Sequence, residues 1–201
     1  MQPPSHTDGR RHLWATAARG SDEEHVVPMY DEEAIAERIA EIGARVDAAY
    51  RDIEELTVLA VMVGALPFCA DLVRRIERPV QLVLVEASSY GDGTESSGEV
   101  EFDLERARHK LVDRHVLVLE DIVDSGRTLV ALTAALREIG VASVRSAVLM
   151  DKKARRVVSF EPDFVGFEIP DAFVVGYGID YAGRYRNLPF IGEVKNPSRG
   201  G

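Results

Sequence analysis

The stretch VLVLEDIVDSGRTL, residues 116–129, joins an apolar run to a group of acidic side chains. Glu120 and Asp121 follow the apolar run directly, and Asp124 comes shortly after them. Residues 125–128 then supply hydroxyl groups and a glycine ahead of a helix-type segment. An unbroken apolar run is typical of a parallel strand that is buried on both faces. The stretch therefore predicts a strand, a polar turn and a helix, with the acidic groups at the carboxyl end of the strand.

Apolar runs of the same kind occur at residues 56–63, 80–86 and 141–150. Helix-type segments separate several of them, and residues 31–52 form a further amphipathic helix for which Asp31 is a suitable N-cap. Strands that alternate with helices in this way predict an α/β fold, a parallel sheet flanked by helices. Ligands of such sheets bind at the carboxyl ends of the strands.

Composition divides the chain into three parts. Residues 1–27 resemble a disordered tail more than a secretory signal, because their apolar stretch is weak. Residues 28–158 form the predicted core, which includes a long polar and glycine-rich loop at 87–99. Residues 159–201 are rich in aromatic residues, glycine and proline, and we expect them to form a small subdomain packed over one end of the sheet.

The charge and the cysteine content exclude several classes of function. A net charge of −10 disfavours nonspecific nucleic-acid binding, which depends on a basic surface. Cys69 is the one cysteine, so neither an intrachain disulfide nor a cysteine metal cluster is expected. The apolar runs are too short to span a membrane, and without an export signal we expect the cytoplasm.

The residues of the opening stretch predict a ligand with a sugar and a phosphate. Two adjacent carboxylates, Glu120 and Asp121, suit the vicinal hydroxyls of a ribose. Residues 124–128 combine the amides of a helix N-terminus with hydroxyl donors and a glycine, which suits a monophosphate. The lysine and the spacing of a nucleoside-triphosphate loop are missing. The alternative is that Asp124 and Ser125 only cap the helix, but capping explains one acid rather than three.

The same stretch closely resembles the phosphoribosyl-pyrophosphate (PRPP) signature of type I phosphoribosyltransferases. The resemblance to the 6-oxopurine branch, hypoxanthine-guanine phosphoribosyltransferase, covers nearly all of the chain that we expect to be ordered. Residues 88–100 resemble its mobile catalytic loop, residues 149–156 its purine-selecting strand end and residues 163–192 its hood. The resemblance implies a five-stranded parallel core below the hood. It also implies purine salvage: 5-phosphoribosyl transfer from PRPP to N9 of hypoxanthine or guanine, with xanthine also open.

The resemblance assigns roles around the sugar and the proton transfer. Glu120 and Asp121 would hold the ribose hydroxyls. Asp124 would face purine N7 as general base or acid while N9 attacks the anomeric carbon. The 5′-phosphate would be bound by Asp124, Ser125, Gly126, Arg127 and Thr128.

Further roles concern the purine and the leaving group. Lys152 would donate a hydrogen bond to the 6-oxo group, which a 6-amino purine lacks. Phe173 would stack on the base, and the backbone of Val174 would read its edge. The pyrophosphate would be covered or contacted by Ser89, Tyr90 and Arg186. Without the resemblance, Lys152 would be interpreted as one cation of a solvated basic run and Phe173 as a core residue. The purine-binding roles of both therefore depend on the resemblance.

The crowding of acidic groups predicts Mg²⁺. Glu120, Asp121, Asp124 and Asp180 would surround a ligand that carries several negative charges, and a cation is needed to offset them. The resemblance gives Asp180 a role in both purine and metal binding, while Glu120 and Asp121 would act on a second ion through the ribose hydroxyls. It also implies a homodimer or homotetramer.

One position departs from the family pattern. Val63 stands in the pyrophosphate loop where a basic residue is common, although Gly64 keeps an amide donor there. Three other classes stay open beside the 6-oxopurine enzyme. They are a PRPP-sensing regulator on the same fold, a transferase for another base such as adenine or orotate, and a binding partner with little activity.

Overall fold

The computed structural model describes residues 24–89 and 100–196. Within these ranges, the main sheet has six strands in the order β4-β3-β2-β5-β6-β7. Its strands are β2 (Leu56–Met62), β3 (Val80–Ser89), β4 (Val100–Phe102), β5 (His115–Val123), β6 (Ser143–Asp151) and β7 (Phe164–Glu168). Five of them are parallel, and β4 alone pairs antiparallel, with β3. The predicted α/β fold with a five-stranded parallel core is confirmed.

Helices cover both faces of this sheet, as the uniformly apolar strands predicted. Helices α1 (Glu32–Ala49) and α2 (Leu66–Val73) share one apolar cluster with the sheet, and α3 (Arg127–Ile139) shares another. Asp31 caps α1 through a hydrogen bond from the Ala34 amide, as expected. Short 3-10 helices lie at Glu105–Lys110 and Lys153–Arg155.

A second, antiparallel sheet forms the hood, in the order β1-β9-β8. Its strands are β1 (His25–Tyr30), β8 (Val174–Val175) and β9 (Ile191–Lys195). Valines of β1 and β9 pack with Val175 and Leu188 in a small apolar cluster of their own. The amino-terminal strand thus belongs to the hood, although it precedes the whole core in the chain.

Two predicted boundaries need correction. Within the described residues, regular structure already includes His25, ahead of the predicted Pro28, because the backbone of residues 25–30 pairs with β9. The core does not end at residue 158, because Phe164–Glu168 pairs in parallel with β6 as the fifth strand. This segment was expected in the hood because residues 159–201 are rich in aromatic residues, glycine and proline. The disordered tail that we predicted falls largely on residues 1–23, outside the described residues.

The loop predicted at residues 87–99 lies between two antiparallel strands. β3 continues to Ser89 and pairs there with β4. Tyr90 and the rest of this segment lie outside the described residues. None of the helices in the described ranges has the length and apolar character that crossing a bilayer requires.

Candidate active site

The strand order creates a crevice between β2 and β5. The chain leaves β2 toward β3 on one side and leaves β5 toward β6 on the other, so these two central strands form the switch point of the sheet. Pairing between β2 and β5 stops at Ala60 and Leu119. Beyond that point the loop after β2 and the acidic end of β5 face each other across the opening.

Gly64 and Asp121 meet in this crevice. A Cβ added to Gly64 would lie 1.8 Å from Oδ2 of Asp121, so the carboxylate occupies the space that any side chain would need. From the hood, Gly178 approaches the same glycine closely, since a Cβ on Gly178 would lie 2.3 Å from the Gly64 carbonyl oxygen. The loop after β2, the acidic strand and the hood therefore converge at Gly64.

The loop after β2 also contains a cis peptide bond, between Met62 and Val63. The Val63 side chain is 51% exposed. This position, where the family commonly has a basic residue, therefore presents an uncharged side chain to solvent.

Glu120 and Asp121 lie inside β5 rather than after it, because pairing with β6 continues to Val123. Burial and the nearby Asp121 charge raise the pKa of Glu120 to about 8, while Arg156 opposes the rise. Burial also raises the pKa of Asp121, against hydrogen bonds from backbone amides, including that of Ile122, and against the charge of Arg186. A buried carboxyl group, Glu120, and a partly buried one, Asp121, thus adjoin at the centre of the site.

The turn after β5 has the form predicted for a phosphate site. Gly126 is the N-cap of α3, has a φ of 84° and provides no side-chain cap. Ser125 Oγ accepts a 3.3 Å hydrogen bond from the Arg127 amide. Asp124 does not cap α3, because Gly126 is the N-cap and receives no side-chain hydrogen bond, and Asp124 Oδ1 is buried with no hydrogen-bond partner in the described part of the chain. The capping alternative therefore fails for Asp124, and the helix N-terminus keeps the donors that anions bind.

Lys152 lies beside this turn at the end of β6. Its backbone amide donates to the Val123 carbonyl at 2.9 Å, and the residue is only 7% exposed. The alternative for Lys152, a solvated basic residue, does not fit this burial, but it holds for Lys153 and Arg155. These two residues are half-exposed and pair with Glu168 and Asp171.

Arg186 and Asp180 form an ion pair in the hood, with 2.6 Å between Arg186 Nη2 and Asp180 Oδ1. Arg186 also donates to the Gly178 carbonyl at 2.7 Å, and Asp180 Oδ2 accepts from the Gly183 amide at 2.8 Å. These contacts hold both side chains on the segment that touches Gly64. The charge of each acts on Asp121, which places both near the crevice.

Phe173 is 53% exposed, so the alternative of a core residue is wrong. Its ring meets Tyr181 edge-on, with 6.2 Å between the centroids. Val174 follows in β8, the outer strand of the hood sheet, which leaves one row of backbone groups without a neighbouring strand in the described part of the chain. Both positions suit contact with a flat ring.

The structure also brings in two residues that the sequence analysis did not assign. Asp151, the last residue of β6, is fully buried and forms an ion pair with Arg156. An acid at the end of an apolar strand was a usable signal. Arg156 gave none, because it stands among exposed basic residues.

A family model for the phosphoribosyl transferase domain matches residues 28–182, which is most of the chain. The chain belongs to the phosphoribosyltransferase family. Its match to the hypoxanthine-guanine phosphoribosyltransferase of Bacillus subtilis is 44% identical over 169 residues, or 83% of this chain and 92% of the relative. The hypoxanthine phosphoribosyltransferase of Haemophilus influenzae is 42% identical over 174 residues, covering 85% and 96% of the two chains. The predicted family is thus confirmed, in its hypoxanthine-guanine branch.

Solved structures of phosphoribosyltransferases agree with the fold. A Bacillus anthracis hypoxanthine-guanine phosphoribosyltransferase, with HEPES in its active site, superposes with a TM-score of 0.76 at 38% identity. That match covers 84% of this chain and 98% of the other. A Trypanosoma cruzi hypoxanthine phosphoribosyltransferase in a ternary substrate complex gives 0.78 at 37% identity, covering 84% and 94%. The relatives named here are enzymes, and none supports the regulator that the sequence left open.

Proposed function

We propose that this protein transfers the 5-phosphoribosyl group of PRPP to N9 of hypoxanthine or guanine and releases pyrophosphate. The observation that carries the proposal is the buried, unpartnered carboxylate oxygen of Asp124. It belongs to a phosphate-type turn, and the buried Lys152 lies on the adjacent strand end. Asp124 does not cap α3, and it lies between a turn suited to phosphate and the buried Lys152. This position suits an acid that transfers a proton.

The sugar phosphate would lie along the end of β5. Glu120 and Asp121 accept hydrogen bonds from the ribose 2′- and 3′-hydroxyls, and the burial of Glu120 limits competition from water. The 5′-phosphate lies against the N-terminus of α3, bound by the amides and hydroxyls of Ser125, Gly126, Arg127 and Thr128. Gly126 has the positive φ that glycine favours, and a Cβ at this position would meet the side chains of Arg156 and Val158.

The purine would lie between the core and the hood. Lys152 donates to the 6-oxo group, which favours 6-oxopurines over adenine, whose 6-amino group cannot accept the bond. The exposed ring of Phe173 stacks on the base, and backbone groups of Val174 read its edge. Because main-chain groups would read the 2-position, the preference among hypoxanthine, guanine and xanthine has no side-chain signature.

The reaction is a displacement at the anomeric carbon. Purine N9 forms the new bond to C1′ while the bond from C1′ to the pyrophosphate oxygen breaks. Asp124 takes the proton from N7 as N9 attacks, and it returns that proton to water after the nucleotide leaves. Ser89, in β3, and Tyr90 would close over the pyrophosphate, and Arg186 would contact it.

Mg²⁺ fits the donor chemistry of this site. Asp180, Glu120 and Asp121 offer carboxylate oxygens, the ligands that Mg²⁺ prefers. Within residues 24–89 and 100–196, no group of three or more His, Cys, Asp or Glu side chains is arranged to hold a metal. The ion would therefore be held by one or two of these carboxylates together with oxygens of PRPP. When bound, it offsets the charge of the departing pyrophosphate.

The surface supports a homodimer or homotetramer. Leu82 and Leu84 of β3 are 44% and 56% exposed, and Leu66 and Val63 are exposed at the adjoining end of β2 and start of α2. Exposed apolar side chains favour self-association, which light scattering would measure. The buried, unpaired Cys69 suits the reducing cytoplasm.

Pyrophosphate release tests the proposed reaction. The purified protein, supplied with PRPP, Mg²⁺ and hypoxanthine, is expected to form inosine monophosphate and pyrophosphate in equal amounts. Asp124→Asn should lower kcat about 10²- to 10⁴-fold while PRPP binding, measured by calorimetry, stays near the wild-type value. Wild-type protein that binds PRPP but releases no pyrophosphate would contradict the proposal. Equal loss of binding and turnover in the variant would contradict the role of Asp124.

A further inference from the structure

Arg156 differs from its basic neighbours in where its side chain lies. Lys153 and Arg155 are about half-exposed and pair with acidic residues at the surface. The Arg156 side chain is 12% exposed and forms its ion pair with Asp151, which is wholly buried. A buried guanidinium is costly to desolvate unless its donors are used. Its position therefore calls for a reason beyond solubility.

The ion pair leaves part of this guanidinium unused. Arg156 Nη2 contacts Asp151 Oδ1. Among the residues that the structure describes, Nε and Nη1 of Arg156 and Oδ2 of Asp151 are buried and have no hydrogen-bond partner. A structural pair would be expected to satisfy these atoms, since each unpaired buried donor or acceptor is destabilising. Nε and Nη1 of Arg156 can therefore still donate hydrogen bonds to a group that binds nearby.

The unused donors adjoin the phosphate turn. A Cβ placed on Gly126 would lie 2.9 Å from Cδ of Arg156 and 3.3 Å from its Nη1. The amide of Val157, the next residue, donates to the Ser125 carbonyl at 3.1 Å. Side chain and backbone of the 156–157 segment thus both contact the turn, and the guanidinium lies directly behind Gly126.

We propose that Arg156 is a positioning residue for the 5′-phosphate. From behind Gly126 it fixes the shape of the phosphate turn and places a buried positive charge next to the bound phosphate, with Asp151 holding the guanidinium in place. The inference rests on the proposed phosphoribosyl transfer. It adds a role for Arg156 in the affinity for ligands that carry a 5′-phosphate, PRPP and the product nucleotide, and none in the affinity for the free base.

The test compares Arg156→Gln and Arg156→Lys with wild-type protein. Calorimetry gives the Kd of PRPP and of inosine monophosphate, and kinetics give the KM of hypoxanthine at saturating PRPP. We expect Arg156→Gln to weaken both phosphate ligands about tenfold or more, with the KM of hypoxanthine within about twofold of wild type. Arg156→Lys should recover part of the loss. The control, Arg137→Gln, removes the same charge from the last turn of α3, at the opposite end of that helix from the phosphate turn, and should change none of the three.

A second variant covers the case in which Arg156→Gln fails to fold because Asp151 is left unpaired. Asp151→Asn combined with Arg156→Gln removes both charges, and its phosphate affinities should fall as in the single variant. The inference is overturned if the Kd of PRPP is unchanged in a folded variant, or if the KM of hypoxanthine rises equally. Wild-type protein that binds neither PRPP nor inosine monophosphate would instead overturn the proposed function and this inference with it.

Discussion

Gly64 and Asp121 come from different strands and touch at the centre of the crevice, where the Asp121 carboxylate fills the space that a Gly64 side chain would need. The contact joins the end of β2 to the acidic part of β5. The approach of Gly178 to the Gly64 carbonyl extends the same contact to the hood. A residue with no side chain therefore sets the distance between the loop after β2 and the acidic part of β5.

Gly64→Ala should displace Asp121 and weaken PRPP binding. The added methyl group would lie 1.8 Å from Oδ2 of Asp121, which no rotation of the methyl group relieves. We expect the Kd of PRPP, measured by calorimetry, to rise about tenfold or more, because a misplaced carboxylate loses its hydrogen bonds to the ribose. Gly140→Ala is the control, since nothing lies within 4 Å of its added Cβ and its positive φ costs stability alone. Equal PRPP affinity in both variants would contradict the account of this contact.

Val63→Lys should strengthen the binding of PRPP. Val63 is 51% exposed, so a lysine fits without repacking the core and restores the cation that the family commonly has there. Because exposed charge pairs contribute about 0.2–1 kcal/mol, the KM of PRPP should fall up to about fivefold and rise again with salt. Val112→Lys adds the same charge just before the amino end of β5, which is the opposite end of this strand from the site, and it should leave this KM unchanged. A Val63→Lys variant with an unaltered KM would contradict the inference that a cation at this position strengthens PRPP binding.

Lys152→Gln should weaken binding of the purine and leave PRPP binding intact. A hydrogen bond from a charged donor contributes about 1.5–3 kcal/mol, so the KM of hypoxanthine should rise about 10- to 150-fold. Lys153→Gln is the control, because Lys153 is half-exposed and pairs with Glu168 at the surface. Steady-state kinetics with each substrate varied in turn make the measurement. A parallel rise in the KM of PRPP would indicate that Lys152 supports the phosphate turn instead.

Glu120→Gln should change how stability depends on pH. The pKa of Glu120 is raised from 4.5 to about 8, so the folded protein keeps this proton to a higher pH than the unfolded chain does. Its stabilising contribution is complete below pH 4.5 and is lost as the pH rises toward 8. Glutamine has no proton to lose, so its contribution does not change with pH. Between pH 4.5 and 8 the free energy of unfolding of the variant should therefore rise relative to that of wild type, by more than about 1 kcal/mol. Urea unfolding at several pH values measures the difference, with Glu138→Gln on the exposed face of α3 as control. A difference independent of pH would contradict the raised pKa.

The sequence was sufficient for the parts of the fold that periodicity encodes. The apolar runs predicted four of the five parallel strands, and Asp31 marked the start of α1. The apolar pattern did not predict the fifth strand, Phe164–Glu168, because it is short and lies in a segment rich in glycine and aromatic residues. The strand at His25 escaped it because its pairing partner, β9, lies at the other end of the chain. Contacts between distant segments leave little local pattern.

The same distinction holds for the site. Glu120, Asp121 and residues 124–128 could be predicted because one short stretch carries both the acids and the phosphate turn. The Arg156 side chain turns inward because of a buried partner, Asp151, and the space beside Gly126. The local sequence does not show either contact, so Arg156 could not be told apart from its exposed basic neighbours. The contact between Gly64 and Asp121 likewise depends on strand order rather than on either residue alone.

The measurement that tests the central claim most directly is a comparison of four bases. The purified protein with PRPP and Mg²⁺ would be offered hypoxanthine, guanine, xanthine and adenine separately, and nucleotide formation would be followed by ultraviolet absorbance. The account predicts nucleotide from hypoxanthine or guanine and none from adenine. Turnover of adenine at a comparable rate, or no turnover of any base by protein that binds PRPP, would contradict it.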